Sequence, residues 1–157
     1  MGILVPFDGS DLSVAALVRA TTLGDAFSES VVAVTIVPES DPEYAREHDW
    51  LGPDEEFDMG EIVARLHERV ADVAPEADFR HEVVSRYASA GRIAKTLRGT
   101  AKTVDASLVV IGSDNAGRMV SSIHSVGSSV ASDEAFDVLI VRRPVPKDSA
   151  VVETSGW

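Results

Sequence analysis

Apolar runs and helical repeats alternate along the chain. The run Ile3 to Phe7, ILVPF, has no polar interruption, the pattern of a parallel strand buried on both faces. Asp11 to Ala26 repeats Leu12, Ala15, Ala16, Ala20 and Leu23 on one face, which predicts a helix that Ser10 or Asp11 can cap. Val31 to Val37 is β-branched and predicts a second strand. Pro38 to Pro53 is polar, holds Pro42 and Gly52 as well, and reads as a loop. Glu55 to Val73 predicts a helix through Met59, Ile62, Val63, Leu66, Val70 and Val73. A more polar third strand is expected at Phe79 to Val84, a helix at Ala90 to Val104, and a fourth strand in SLVVIG, ending at Gly112. A weaker helix falls within Met119 to Ser132, and a fifth strand at Val138 to Arg142. This alternation predicts an α/β fold, a single-domain five-stranded parallel open sheet with helices on both faces. The folded domain is expected over residues 1–143. Pro144 to Trp157 has little periodicity and reads as a mobile tail.

Composition narrows the function classes. The 157 residues suit one domain, and 45% are hydrophobic, enough for a core. No apolar run approaches the ~20 residues that span a bilayer. No basic segment followed by a long apolar stretch marks a secretory signal, so a cytoplasmic location is expected. Pro6 stands where a myristoylation signal wants Ser or Thr. The absence of cysteine excludes disulfides, thiol catalysis and cysteine-based zinc sites. His48, His67, His81 and His124 are scattered without metal-ligand spacing, so no metal site is expected. The net charge of -12 opposes binding to nucleic acid. Lys95, Lys102 and Lys147 are the only lysines, and an acidic, lysine-poor surface suits a halophilic protein, kept soluble where salt screens repulsion.

Two turns carry the candidate chemistry. In DGSDLS, Asp8 ends a buried strand, where packing gives no reason for an acid. Turn amides at the helix start can satisfy it. The functional alternative is an amine or hydroxyl of a ligand. After the fourth strand, Gly112, Ser113, Gly117, Ser121, Ser122, Ser125, Gly127, Ser128 and Ser129 crowd one stretch, with Arg118 its one basic residue. Glycines admit close backbone approach, and hydroxyls with helix-start amides hold anions. A flexible turn before a poor helix is the plainer reading. First and fourth strands are expected to be neighbours at the switch in strand order, where open sheets leave a crevice.

The pieces ILVPFDGSDLSVAAL, VVAVTIVPES, DASLVVIGS and SSVASDEAFDVLIVRR, in this order, resemble the universal stress protein family over residues 2 to 143. The resemblance implies the adenine-nucleotide alpha-hydrolase-like fold and a homodimer paired through the last strand, Val138 to Arg142. It implies ATP or another adenine nucleotide as ligand, with Pro6, Phe7 and Asp8 at base and ribose and the Ile36 backbone beside the adenine. Gly112, Ser113, Gly117, Gly127 and Ser128 are then the phosphate candidates. Nucleotide-binding members carry G-x2-G-x9-G-[S/T], and this chain departs from it. Counted from Gly112, the later glycines fall on Asn115 and Ser125. Counted back from Gly127-Ser128, Gly117 fits and the first falls on Asp114. A third register sets His124 at the last glycine. An acid such as Asp114 opposes a triphosphate by about 1 kcal/mol or more.

The leading expectation is a non-catalytic, adenine-nucleotide-responsive dimeric binding module in stress response. No nucleophile–base pair or paired carboxylate supports more than slow ATP hydrolysis. The alternative is the same fold without nucleotide, acting as a dimeric interaction protein. A remote alternative is an ATP pyrophosphatase-like enzyme, since DGSDLS looks like the SGGxDS loop, although Asp8 opposes phosphate there.

Overall fold

The computed structural model describes residues 2–112 and 135–145. The elements run β1 (Gly2–Pro6), α1 (Asp11–Phe27), β2 (Ser30–Pro38), α2 (Pro42–Glu47), α3 (Met59–Val73), β3 (Asp78–Val84), α4 (Ala90–Thr103), β4 (Ala106–Gly112) and β5 (Asp137–Val141). The five strands form one sheet in the order β3-β2-β1-β4-β5, every pair parallel. The chain thus builds outward from β1 in one direction, then returns to its other side through β4.

Period-2 geometry explains why β1 lacks polar positions. Ile3 and Val5 enter one core with Leu17 and Ala20 of α1 and Ile62, Leu66 and Val70 of α3. Leu4 points the other way, into a second core with Leu97 and Ala101 of α4. Val110 of β4 joins the first core, and Val109 and Ile111 join the second. Both faces are covered, so an uninterrupted apolar strand is what parallel pairing requires. Each fully buried Ile, Leu or Val contributes up to about 1.5–3 kcal/mol.

Caps set the helix boundaries. The Ser10 hydroxyl accepts the Ser13 amide at 3.2 Å, making Ser10 the N-cap of α1. The segment read as a loop from Pro38 to Pro53 contains α2. Its prolines misled because Pro42 occupies the first helical turn, where a missing N–H costs nothing, and Asp41 caps it. The helix expected from Glu55 begins only at Met59. Asp58 accepts the Glu61 amide at 3.2 Å and starts it there, while Glu55 is turned aside to bind Arg65 at 2.8 Å.

Arg142 falls just beyond β5. Val145 packs against the first core, so the segment after residue 143 does not leave the domain at once. The expected helix within Met119 to Ser132 and the rest of the tail lie outside the described residues. Among the described residues no helix is long and apolar enough to cross a membrane.

Candidate functional site

The β1–α1 turn is held from two directions. Beyond the end of β1 the Phe7 amide donates to the Val34 carbonyl at 2.8 Å. The buried Thr35 hydroxyl donates to the Phe7 carbonyl at 2.7 Å. The Trp50 indole N–H donates to the Asp8 carbonyl at 2.7 Å. Gly9 follows at φ +84°, a left-handed conformation that glycine adopts without strain. Two consecutive carbonyls, those of Phe7 and Asp8, are therefore fixed by side chains from β2 and from the stretch after α2.

This anchoring presents the Asp8 carboxylate. One oxygen accepts the Ser10 amide at 2.9 Å, so a turn amide does satisfy part of the acid. Its other oxygen has no hydrogen-bond partner among the described residues. An acceptor left this way at the carboxyl edge of a parallel sheet is open to an amine or hydroxyl.

On the α4 face, at the carboxyl ends of β1, β2 and β4, lies a cavity of about 120 Å³. Pro6, Phe7, Asp8, Ile36 and Gly112 all line it. Residues far apart in the chain are brought together there because β1 lies between β2 and β4. The Phe7 ring itself is 2% exposed and belongs to the first core. Gly112 sits against the start of α1: a Cβ there would run into the Leu12 carbonyl and come within 2.9 Å of the Ser13 amide. Close packing of strand on helix thus requires this glycine, whatever else it does. Ser113, Gly117, Gly127, Ser128 and Arg118 lie outside the described residues.

Val34, Tyr44, Ile93, Leu97 and Ile111 complete the apolar walls, and none of them was expected at the site from the sequence. Ile93 and Leu97 were legible as the inward stripe of a helix, but not as a cavity wall. Tyr44 belongs to a small aromatic group, stacked on His48 with centroids 4.1 Å apart and tilted to Trp50 at 5.6 Å. Aromatic residues inside an otherwise polar stretch were the available signal. Burial, and then the nearby Asp8 charge, push the Tyr44 hydroxyl above its ordinary pKa, so it stays protonated. Arg65 ties this stretch to α3 by donating to the Trp50 carbonyl at 3.0 Å and pairing with Glu55. That pairing holds the Glu55 carboxyl below its usual range. Among the described residues no group of three or more His, Cys, Asp or Glu could hold a metal ion.

The sequence matches the universal stress protein family over residues 1–142. No curated protein sequence matches it significantly. Among solved structures, a universal stress protein in complex with cAMP is 26% identical, with a TM-score of 0.52 over 90% of this chain and 95% of that one. A universal stress protein family member from Burkholderia pseudomallei is 22% identical, with a TM-score of 0.52 over 90% and 95% of the two chains. A universal stress protein from Archaeoglobus fulgidus is 19% identical, with a TM-score of 0.52 over 90% and 93%.

Proposed function

The chain belongs to the universal stress protein family, and from that premise we propose that it is a non-catalytic, dimeric binding module of the stress response whose α4-face cavity takes the base of an adenine nucleotide. One observation carries the reading: Pro6, Phe7, Asp8, Ile36 and Gly112, distant in sequence, share the walls of one mostly apolar cavity. The Asp8 oxygen that has no partner among the described residues is the acceptor for an adenine amino group or a ribose hydroxyl. The apolar walls Leu97 and Ile111 take the faces of the base. The phosphate end is assigned to Ser113, Gly117, Gly127 and Ser128. A solved relative bound to cAMP supports the ligand class. A charge of -12 and the acid Asp114 favour a monophosphate or cyclic nucleotide over ATP.

Titration calorimetry with AMP, cAMP and ATP, in 0.15 M salt and again in molar salt, tests this. Saturable binding of an adenine nucleotide is expected. Asp8→Ala is expected to weaken it by about 10- to 100-fold, the worth of a charge-assisted hydrogen bond. Asp8→Asn, which keeps an acceptor for the Ser10 amide, guards against a merely misfolded turn. Equal affinity in Asp8→Ala would remove the acid from the site.

A second reading, an interaction scaffold with no nucleotide, is favoured by the cavity's size. Its 120 Å³ falls short of the roughly 300 Å³ where small-molecule pockets begin. A folded protein that answers to none of the three nucleotides would decide for it. Both readings include pairing of two copies along β5. This strand is an edge of the sheet, and Val138 and Leu139 are 39% and 37% exposed on it. An apolar edge with free backbone groups invites another strand. Leu139→Lys is expected to convert the dimer to monomer in light scattering, and an undisturbed dimer would place the interface elsewhere.

A further inference from the structure

A second cavity, of about 300 Å³, opens beside the α2–α3 segment. Asp8 borders both cavities, but otherwise their walls differ. Ile62 and Leu66 of α3, with Trp50, contribute its apolar surface. Arg65 and Arg69, one helical turn apart on α3, supply positive charge. Asp8, Glu47 and Asp49, from the β1–α1 turn and the end of α2, supply negative charge. Among the described residues no ion pair closes across the space. Arg65 is engaged by Glu55 and Glu61, which are not part of the lining. The side chains of Arg69, Glu47 and Asp49 have no hydrogen bond or ion pair among the described residues.

We propose that this cavity is a second binding site, for a small net-neutral ligand with an anionic group at one end and an ammonium at the other. Opposite charges that share a cavity without meeting leave the bridging role to a ligand. The Arg69 guanidinium offers a planar fork that fits a carboxylate or a phosphate. The carboxylates take the ammonium, and the apolar surface takes the carbons between. Charge decides against simpler ligands. The chain carries -12, so a lone anion approaches Arg69 against net repulsion and leaves the carboxylates unused. A lone cation is attracted to any acidic patch and gains nothing from Arg69. A dipolar ligand meets no long-range repulsion and uses both walls.

The Trp50 indole N–H, held to the Asp8 carbonyl at 2.7 Å beside this cavity, is a built-in reporter. Amide and indole resonances of the full chain, in 0.15 M salt, are followed during titration with 4-aminobutyrate and with glycerophosphoethanolamine, a phosphodiester that carries one negative and one positive charge. These two probes distinguish a carboxylate from a phosphate as the anionic end. Acetate, inorganic phosphate and ethanolamine are the one-ended controls. A saturable shift of the indole resonance is expected from at least one dipolar probe, in roughly the millimolar range. Each control is expected to bind about tenfold more weakly, having lost one charged contact. Arg69→Gln, an exposed substitution that leaves the core intact, is expected to weaken the dipolar probe by about tenfold or more. Its spectrum and its response to AMP should not change. No saturable shift from either dipolar probe, controls that bind as well, or an Arg69→Gln variant that binds like the parent would each overturn the proposal. The AMP titration of the same sample is read at the methyl groups of Ile36, Leu97 and Ile111, which line the α4-face cavity and not this one, so the two sites fail or hold separately.

Discussion

Gly112→Ala is expected to be the most damaging single-methyl change in the described chain, lowering stability by about 3 kcal/mol or more. At about 2–4 °C per kcal/mol for a chain of this size, Tm should fall by roughly 6–12 °C. The reason is the kind of atom the new methyl meets. The Leu12 carbonyl and the Ser13 amide are backbone, in the first turn of α1, and neither can rotate away. Relief requires moving the start of α1, and with it the Ser10 cap and the Asp8 turn. The loss should therefore extend to nucleotide binding. Scanning calorimetry of the variant checks the stability, and an unchanged Tm would mean that β4 and α1 are not packed this closely. Sequence reasoning offered Gly112 as a phosphate contact. Its packing against α1 accounts for the glycine without any ligand.

Trp50→Ala should cost about 3–5 kcal/mol, in the range of large aromatic truncations. Trp50 is 5% exposed and packs in the first core, and its indole N–H is the donor that fixes the Asp8 carbonyl. Trp50→Phe separates these roles. It keeps most of the packing and leaves the Asp8 carbonyl without its donor, for about 1–3 kcal/mol. Urea unfolding of the two variants should give midpoints in the order parent, Trp50→Phe, Trp50→Ala. A phenylalanine variant as stable as the parent would show that the indole bond to the turn contributes nothing. The consequence for function is direct, because Trp50 and its neighbour Tyr44 border one cavity each, with Asp8 common to both.

The sheet was legible because both-face burial leaves a plain mark. The runs containing Leu4, Val32 and Val109 show no apolar–polar alternation, Thr35 being the one polar residue inside them, and the helices between them carry one-sided stripes. The placing of β1 beside β4 was expected from the switch in strand order that open parallel sheets contain. Asp8 was singled out because an acid at a strand end has no packing explanation, and Pro6, Phe7 and Ile36 because the chain resembles a known family; the fold gathers all four around one cavity. The stretch from Pro38 to Phe57 was not legible. Its short helix depends on one capping aspartate, and its importance depends on long-range bonds from Trp50 and Arg65 that have no local signature. Local periodicity cannot announce a tryptophan that reaches back 42 residues to a turn. The second cavity was illegible for the same reason. Arg65 and Arg69 read as the solvent side of a helix, and only the fold sets them beside Asp8 and Asp49.

The central claim is that an adenine base enters the α4-face cavity between β1 and β4. Intermolecular NOEs in the full chain saturated with AMP or cAMP test it most directly. The account predicts cross-peaks from the adenine ring protons to the methyl groups of Ile36, Leu97 and Ile111, which line that cavity. Cross-peaks to Ile62 and Leu66 instead, in the neighbouring polar cavity, or no binding of either nucleotide by the folded chain, would contradict it.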